Sequence, residues 1–300
     1  MYKENRLLKL SAVGGLFFAL LGIGWGLMID SEMIRFDGVY SLVSLLLSLM
    51  AIFMCNFMSR SDKKNFPFGK STISPIVVIL KSIVLIIMCS ISLISSVKTI
   101  ISGGNLVDTG YAIVYTIISI LGCLAIYAYM KWEGEKLNSD IIRIESGQWL
   151  MDALISIGVF IGFVIVLLIQ NTRFGYLTKY IDPAMVIISS SVFFKVPIAA
   201  LLKAFKELIL VRANDEINDC ITKAVELVEK EYEFEESITR VSKIGSSLRI
   251  EIDFIFNDEC KIEKLEDMDV IREKINSLIN SIKYDKWLNV SFTGNRKWVI

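Results

Sequence analysis

The sequence predicts an α-helical membrane protein with six transmembrane helices followed by a small cytoplasmic α+β domain. Hydrophobic residues make up 54% of the 300 residues, whereas soluble domains usually contain about 45–50%. Apolar windows long enough to cross a bilayer, which takes about 20 helical residues, recur along the first two thirds of the chain. The net charge is +5 over residues 1–208 and −5 over residues 209–300. This change indicates a transmembrane domain at residues 1–208 and a separate domain at residues 209–300.

The apolar windows and the basic residues between them predict the topology. The six spans are predicted at residues 8–29, 36–57, 74–101, 107–130, 147–170 and 183–208. The first is interpreted as a span because its apolar run exceeds the roughly 7–15 residues of a signal-peptide core. Lysines and arginines concentrate before span 1, between spans 2 and 3, and between spans 4 and 5. Because such residues favour the cytoplasmic side, we expect a multi-pass protein of the cell membrane with both termini in the cytoplasm.

The C-terminal part has the periodicity of a soluble domain. Apolar residues recur at helical spacing in two segments and alternate in three others. The predicted elements are helix 215–232, strand 237–244, turn Gly245-Ser246, strand 247–256, helix 270–282 and strand 287–293. The order α-β-β-α-β indicates a ferredoxin-like open sheet that helices cover on one face.

Several function classes lack support in the sequence. The five cysteines form no C-x-x-C pair, and the chain contains no histidine, so neither a disulfide framework nor a zinc knuckle is indicated. A glycine-rich phosphate loop and a nucleophile motif are also missing from the sequence. We therefore expect no enzymatic activity, no cofactor and no nucleic-acid partner.

Two pairs of polar residues inside the spans are the strongest functional signal. Asp37 and Ser41 in span 2 are four residues apart, as are Gln148 and Asp152 in span 5, so each pair shares one helical face. Ionisable groups are costly in hydrocarbon and indicate a functional site. If spans 2 and 5 touch, two carboxylates, an amide and a hydroxyl can surround a divalent cation. The alternative is structural: Asp37 caps span 2, Ser41 and Gln148 form interhelical hydrogen bonds, and Asp152 is protonated.

The ordered motifs resemble those of the cation diffusion facilitators over almost the whole chain. The segment FPFGKSTISP at residues 66–75 is similar to the tyrosine-proline-phenylalanine-glycine loop that these transporters carry before span 3. The sixth span is similar as well, with Asp182-Pro183 at its start and Glu207-Leu208 near its end. Six spans followed by a cytoplasmic α-β-β-α-β domain is the organisation of that family.

The resemblance places the transport site on the same four residues, Asp37, Ser41, Gln148 and Asp152. Zinc-transporting members usually supply at least one histidine there and often a histidine-rich loop between spans 4 and 5, and manganese-transporting members usually supply aspartates. A site with only oxygen ligands favours Mn²⁺, Fe²⁺ or Mg²⁺, while Co²⁺, Zn²⁺ and Cd²⁺ remain possible substrates.

The resemblance also implies a mechanism. Family members are homodimers that alternate the site between the two sides of the membrane, and they export a metal cation while protons enter. Without histidine, Asp37 and Asp152 would have to take up the protons when the cation leaves. An alternative is a partner subunit that has lost transport, since serine and glutamine replace two of the ligands, and that stabilises another transporter.

Other residues leave alternatives open. Ser44, Ser48 and Ser156 extend the polar faces and either line an access path or pack between helices. Lys81 either extends to the interface or forms an ion pair, and Glu145 either forms an ion pair or is an acid at a helix start. The C-terminal domain resembles a regulatory domain that binds metal through histidines, but Ser291 occupies the matching position, so dimerisation is its expected role.

Overall fold

The membrane part of the protein is helical. A computed structural model describes residues 2–60, 62, 64–137, 140–245, 247–257, 260–262, 264–282 and 284–299. Its helices are α1 (Tyr2–Met28), α2 (Glu32–Ser59), α3 (Ile73–Ile101), α4 (Thr109–Leu137), α5 (Asp140–Ile169), α6 (Thr178–Phe193) and α7 (Lys195–Leu208). The described residues contain six segments long and apolar enough to cross a membrane: Arg6–Met28, Glu32–Met58, Ile73–Ile101, Thr109–Lys136, Glu145–Ile169 and Gly175–Leu208. The prediction of six spans is confirmed.

The sixth span differs in detail from the prediction. It begins near Gly175 rather than at residue 183, and it consists of α6 and α7 with a break at Phe194. Pro197 explains the break, because proline has no N–H to donate to the carbonyl four residues earlier, that of Phe193. The predicted sixth span is confirmed, with an earlier start than residue 183.

Glycines allow α1 and α2 to approach closely. A Cβ atom on Gly38 would lie 2.5 Å from Ile23 N, 2.8 Å from Gly22 C and 2.9 Å from Ala19 O. All three are backbone atoms of α1. Small residues commonly permit such contacts between membrane helices, and this contact lies directly beside Asp37.

The C-terminal domain has the predicted α-β-β-α-β order. Its elements are α8 (Asp215–Tyr232), β1 (Glu236–Ile244), β2 (Ser247–Ile255), α9 (Leu265–Leu278) and β3 (Asp285–Thr293). The strands form a sheet in the order β1-β2-β3, in which β1 is antiparallel and β3 parallel to β2. In the register, Val241 faces Ile250, and Ile252 faces Val290.

The alternating residues of β2 form the centre of this domain. Leu248, Ile250, Ile252 and Phe254 are at most 1% exposed and pack with apolar residues of α8 and α9. Alternate side chains of a strand point to the same face, so the helices cover this face, as predicted.

Two details of the domain concern the predicted turn and helix ends. Gly245, between β1 and β2, has φ +57°, in the left-handed region that favours glycine. Ser246, the other residue of the predicted turn, lies outside the described residues.

The predicted helix to residue 282 is too long: α9 ends at Leu278, and Ile279 and Ile282 contact the core from a turn. Asn280 lies in this turn, and asparagine favours turns.

Contacts divide the chain into two units. One consists of Met1–Phe53 and Lys81–Ala199, and the other of Met54–Leu80 and Ala200–Ile300. The second unit thus includes the C-terminal domain together with the end of α2 and the start of α3. The predicted functional boundary at residue 208 stays a prediction.

Candidate metal-binding cavity

Four polar residues of α2 and α5 line a single cavity in the membrane part. Asp37 and Ser41 lie one turn apart on α2, and Gln148 and Asp152 lie one turn apart on α5. The cavity has a volume of about 230 Å³, and residues of α1 and α4 complete its wall. All four side chains predicted from the sequence are therefore brought together, while their role as cation ligands stays a prediction.

Asp37 lies inside α2 rather than at its start. α2 begins at Glu32, and Ser31 caps it because its Oγ accepts a hydrogen bond from Ile34 N at 3.2 Å. The alternative in which Asp37 caps the helix is therefore wrong. Tyr115 of α4 donates a hydrogen bond from its hydroxyl to Asp37 Oδ2 at 3.2 Å. This contact orients the carboxylate at the wall of the cavity.

The cavity is open towards the N-terminal ends of α1 and α5, and we call this side the open end. The side chains of Gln148 and Asp152 are exposed, and those of Asp37 and Ser41 are half-buried. The lining extends to Leu8 near the start of α1. A solvated ion can therefore approach the four polar side chains from this end.

A buried apolar cluster closes the opposite end. We call this the sealing cluster: Met33, Ile34, Phe36, Cys89, Ala112, Tyr115, Val159, Phe163 and Val186. On α2 the cluster precedes Asp37, and on α5 it follows Asp152. On both helices the cluster therefore lies beyond the carboxylates, on the side away from Leu8.

Part of the lining comes from α4, which the sequence reasoning did not include. Ser119 and Cys123 line the cavity one turn apart on α4, and Tyr115 lies one turn before Ser119; all three are buried. Ser119 Oγ and Ser156 Oγ form a hydrogen bond of 2.9 Å. A polar stripe at i, i+4 and i+8 in span 4 was the signal that could have found this wall.

The serines expected along an access path do line the cavity. Ser44 and Ser48 follow Ser41 on α2, and Ser156 follows Asp152 on α5. Their hydroxyl groups make the wall polar where it crosses the apolar helices. Of the two alternatives left open by the sequence, the cavity supports the lining of a path for Ser44 and Ser48, whereas the buried Ser156 also packs between helices through its bond to Ser119.

Glu145 also lines this cavity. α5 begins at Asp140, so Glu145 lies more than one turn inside the helix, and its interpretation as a helix-start acid is wrong. Ser11 of α1 donates a hydrogen bond from Oγ to Glu145 Oε1 at 2.6 Å, and Trp149 Nε1 donates to Ser11 Oγ at 2.8 Å. The three side chains connect α1 with α5 beside the open end.

A second intramembrane carboxylate, Asp182, has a structural role. It is 2% exposed and accepts hydrogen bonds from Ser31 Oγ at 2.6 Å, Glu32 N at 2.7 Å and Met33 N at 3.3 Å. The start of a helix has backbone N–H groups without helical partners. Asp182, which lies on α6, therefore caps the start of α2. This contact explains the aspartate of the motif Asp182-Pro183.

The remaining charges have no such place in the cavity lining. Lys81 in α3 is half-buried, and Lys195 at the start of α7 is exposed. In the C-terminal domain, acidic residues form surface ion pairs, with Glu233 2.7 Å from Lys261 Nζ and Asp269 2.6 Å from an Arg272 nitrogen. Such exposed pairs contribute little to stability.

The donor set of the cavity suits a hard divalent cation. Among the described residues, no group of three or more histidine, cysteine, aspartate or glutamate side chains is placed to hold a metal ion. The four residues Asp37, Ser41, Gln148 and Asp152 instead offer two carboxylates together with amide and hydroxyl oxygens. Oxygen ligands of this kind suit Mg²⁺ and Mn²⁺, and two carboxylates balance the charge of one divalent ion.

Comparison with known proteins gives a family for the membrane part. The family model of the cation efflux transmembrane domain matches residues 8–209, which is more than half of the chain. The matched range contains every residue described above as lining the cavity. No curated protein matches the chain.

Proposed function

The chain belongs to the cation efflux family, the cation diffusion facilitators, and we propose from this premise that it exports a divalent cation through the cavity between α1, α2, α4 and α5. Members of this family are membrane transporters of metal cations rather than enzymes. The observation that carries the proposal is the convergence of Asp37, Ser41, Gln148 and Asp152 on one cavity. These four side chains form the proposed transport site.

Mn²⁺, Fe²⁺ and Mg²⁺ are the proposed substrates. The chain contains no histidine, and the four side chains of the site carry only oxygen or amide donors. Zn²⁺ favours nitrogen and sulfur ligands, whereas carboxylate and carbonyl oxygens suit Mn²⁺ and Mg²⁺. Co²⁺, Zn²⁺ and Cd²⁺ are weaker candidates, and Cys123 is the one soft donor in the cavity lining of the described chain.

Transport proceeds by alternating access in this proposal. The cavity is open towards the starts of α1 and α5 and closed by the sealing cluster at its other end. The positive charges of the loops predict that the open end faces the cytoplasm. The conformation is then inward-facing, and export requires the sealing cluster to separate while the cytoplasmic end closes.

Protons are the proposed counter-ion. When a divalent cation leaves, Asp37 and Asp152 would remain as two negative charges in an apolar surrounding, which is costly. Uptake of protons by these carboxylates removes that cost and couples export to proton entry. The same two residues thereby serve cation and proton in turn.

Flux into proteoliposomes tests the proposal. The parent protein should transport Mn²⁺ faster with an opposing pH gradient than without one. In a panel of Mn²⁺, Fe²⁺, Mg²⁺, Co²⁺, Zn²⁺ and Cd²⁺, the initial flux should be highest for the first three cations. Asp37→Asn and Asp152→Asn keep the side-chain shape but remove the charge. Each should lower the initial flux to below about one hundredth of the parent value, because even outer-shell partners of metal ligands are worth about 10–100-fold.

The matched control is Asp219→Asn, which removes a carboxylate from an exposed position of α8 and should transport like the parent. Parent-like flux in both Asp37→Asn and Asp152→Asn would place the site elsewhere. A folded parent that moves no ion of the panel would favour the alternative function, a transport-inactive subunit that stabilises another cation transporter. The neutral Ser41 and Gln148 at two of the four ligand positions are the observation in favour of that alternative.

The proposed assembly is a homodimer in the cell membrane. Residues 1–208 would form the transport domain, and residues 209–300 a cytoplasmic dimerisation or regulatory domain. Single cysteines introduced at the exposed positions Leu106 and Lys64, after the five native cysteines have been replaced by serine, test the orientation. An impermeant thiol reagent should label Leu106→Cys in intact cells and leave Lys64→Cys unlabelled, and the reverse pattern would contradict cytoplasmic termini.

A further inference from the structure

A third carboxylate shares the polar face of α5 with the proposed site. Glu145 lies three residues before Gln148 and seven before Asp152, and residues at these spacings lie on one side of a helix. All three line the same cavity. Asp152 is therefore not the first carboxylate that a cation meets when it enters from the open end.

The spacing separates Glu145 from the inner carboxylates. At the helical rise of roughly 1.5 Å per residue, Glu145 lies about 10 Å from Asp152 along the axis of α5. The side chains of Glu145 and Asp152 both tilt towards the N-terminus of the helix, so the tilt does not bring their carboxylates closer together. Metal–oxygen bonds are only about 2.0–2.6 Å long. One ion is therefore not expected to contact both carboxylates, so Glu145 is not a fifth ligand of the inner site.

A buried donor chain orients Glu145. The indole N–H of Trp149 can only donate, so Ser11 Oγ accepts at 2.8 Å and its own proton is free for Glu145 Oε1 at 2.6 Å. Ser11 is 3% and Trp149 5% exposed, which holds the chain in place. A carboxylate has about four lone-pair sites, and the bond from Ser11 uses one of them. The group is thus positioned as an acceptor with capacity for a cation.

We propose that Glu145 forms an outer cation-binding station, distinct from the inner site, that takes a hydrated divalent cation from the open end and passes it to Asp152 and Asp37. This inference rests on the proposed function, since it assumes that cations pass through the cavity. A single carboxylate attracts the cation less than the inner pair does, so the ion moves from one negative charge to two. Glu145 then governs capture at low cation concentration, while the inner carboxylates govern the maximal rate.

Transport kinetics with Mn²⁺ in proteoliposomes test the role of Glu145. In Glu145→Gln, the half-saturating Mn²⁺ concentration should rise about tenfold at low ionic strength, as expected for the loss of an attracting charge in a cleft, while the maximal rate stays within about twofold. Added salt screens charges. It should therefore raise the half-saturating concentration of the parent and have a smaller effect on Glu145→Gln.

Two variants separate charge from structure. Glu145→Asp keeps the charge and should restore parent-like half-saturation, whereas Ser11→Ala breaks the link between α1 and α5 but leaves the charge. Since Ser11 also orients Glu145, Ser11→Ala should raise the half-saturating Mn²⁺ concentration, but less than Glu145→Gln does, because the charge remains. An equal or larger rise would mean that Glu145 only connects the two helices, and the proposal would be wrong. An unchanged half-saturating concentration in Glu145→Gln would also contradict it.

Equilibrium binding of Mn²⁺ to the purified full chain distinguishes this inference from the proposed function. The double variant Asp37→Asn/Asp152→Asn should retain one weak Mn²⁺ per chain, and further substitution of Glu145→Gln should remove it. Residual binding that is unchanged by Glu145→Gln would overturn the outer station even where the parent transports normally. Failure of the proposed function would show differently, as an absence of flux in the parent.

Discussion

The contact between α1 and α2 predicts that Gly38→Ala destabilises the membrane part. The new Cβ would lie 2.5 Å from Ile23 N and 2.8 Å from Gly22 C, closer than real Cβ atoms approach such atoms. Both neighbours are backbone atoms, so no side-chain rotation can remove the clash. The two helices have to separate at the position next to Asp37.

The expected size follows from two opposing effects. Alanine is favoured over glycine in a helix by about 1 kcal/mol, while overpacking of a tight contact typically costs about 1–3 kcal/mol. Since the contacts are with backbone, the cost lies near the upper end, and the net loss is about 1–2 kcal/mol. One kcal/mol corresponds to about 2–4 °C in proteins of comparable size, so the unfolding temperature should fall by about 2–8 °C.

Thermal unfolding in detergent, followed by tryptophan fluorescence, measures this shift. Gly24→Ala is the matched control, because it makes the same change on α1 and its Cβ would meet no atom within 4 Å. We expect its unfolding temperature to equal or exceed that of the parent. If Gly38→Ala and Gly24→Ala unfold at the same temperature, the close approach of α1 and α2 at Gly38 is refuted.

The other predictions concern a cap, the ion and a thiol. Asp182→Ala leaves three donors at the start of α2 without their acceptor, so the free energy of unfolding should fall by about 1–3 kcal/mol, and a parent-like unfolding temperature would contradict the cap. Gln148→His adds a nitrogen ligand and should shift transport towards Zn²⁺ relative to Mn²⁺, which competition flux measures; an unchanged ratio would argue against contact with the ion. Burial raises the pKa of the Cys260 thiol, so less thiolate is present at a given pH. Its alkylation, followed by mass spectrometry, should therefore be slower at pH 8 than that of the exposed Cys220 and should keep increasing at higher pH, whereas equal rates would contradict its burial.

Local sequence patterns were sufficient for most of the fold. The predicted helix 215–232 has the bounds of α8, and the alternating segment 247–256 differs from β2 by one residue, because apolar periodicity reports directly which face is buried. The break at Phe194 was missed because the apolar composition continues across it. Only the missing N–H of Pro197 marks the interruption.

The cavity could be predicted only in part. Spacing and charge were enough to select Asp37 and Asp152, since isolated carboxylates stand out in apolar spans. Tyr115 and Ser11 were missed because aromatic and hydroxyl side chains are common in membrane helices and their partners are distant in sequence. Glu145 was ambiguous for a similar reason, because its meaning depends on where α5 begins and on which helix lies beside it.

Location of the bound ion is the most direct test of the proposed transport site. Crystals of the protein grown with Mn²⁺ and measured at the manganese absorption edge should show an anomalous peak within bonding distance of both Asp37 and Asp152. Gln148 and Ser41 should supply neutral oxygens to the same ion. A peak at saturating Mn²⁺ that touches neither carboxylate, or occupied manganese only outside this cavity, would contradict the proposed site.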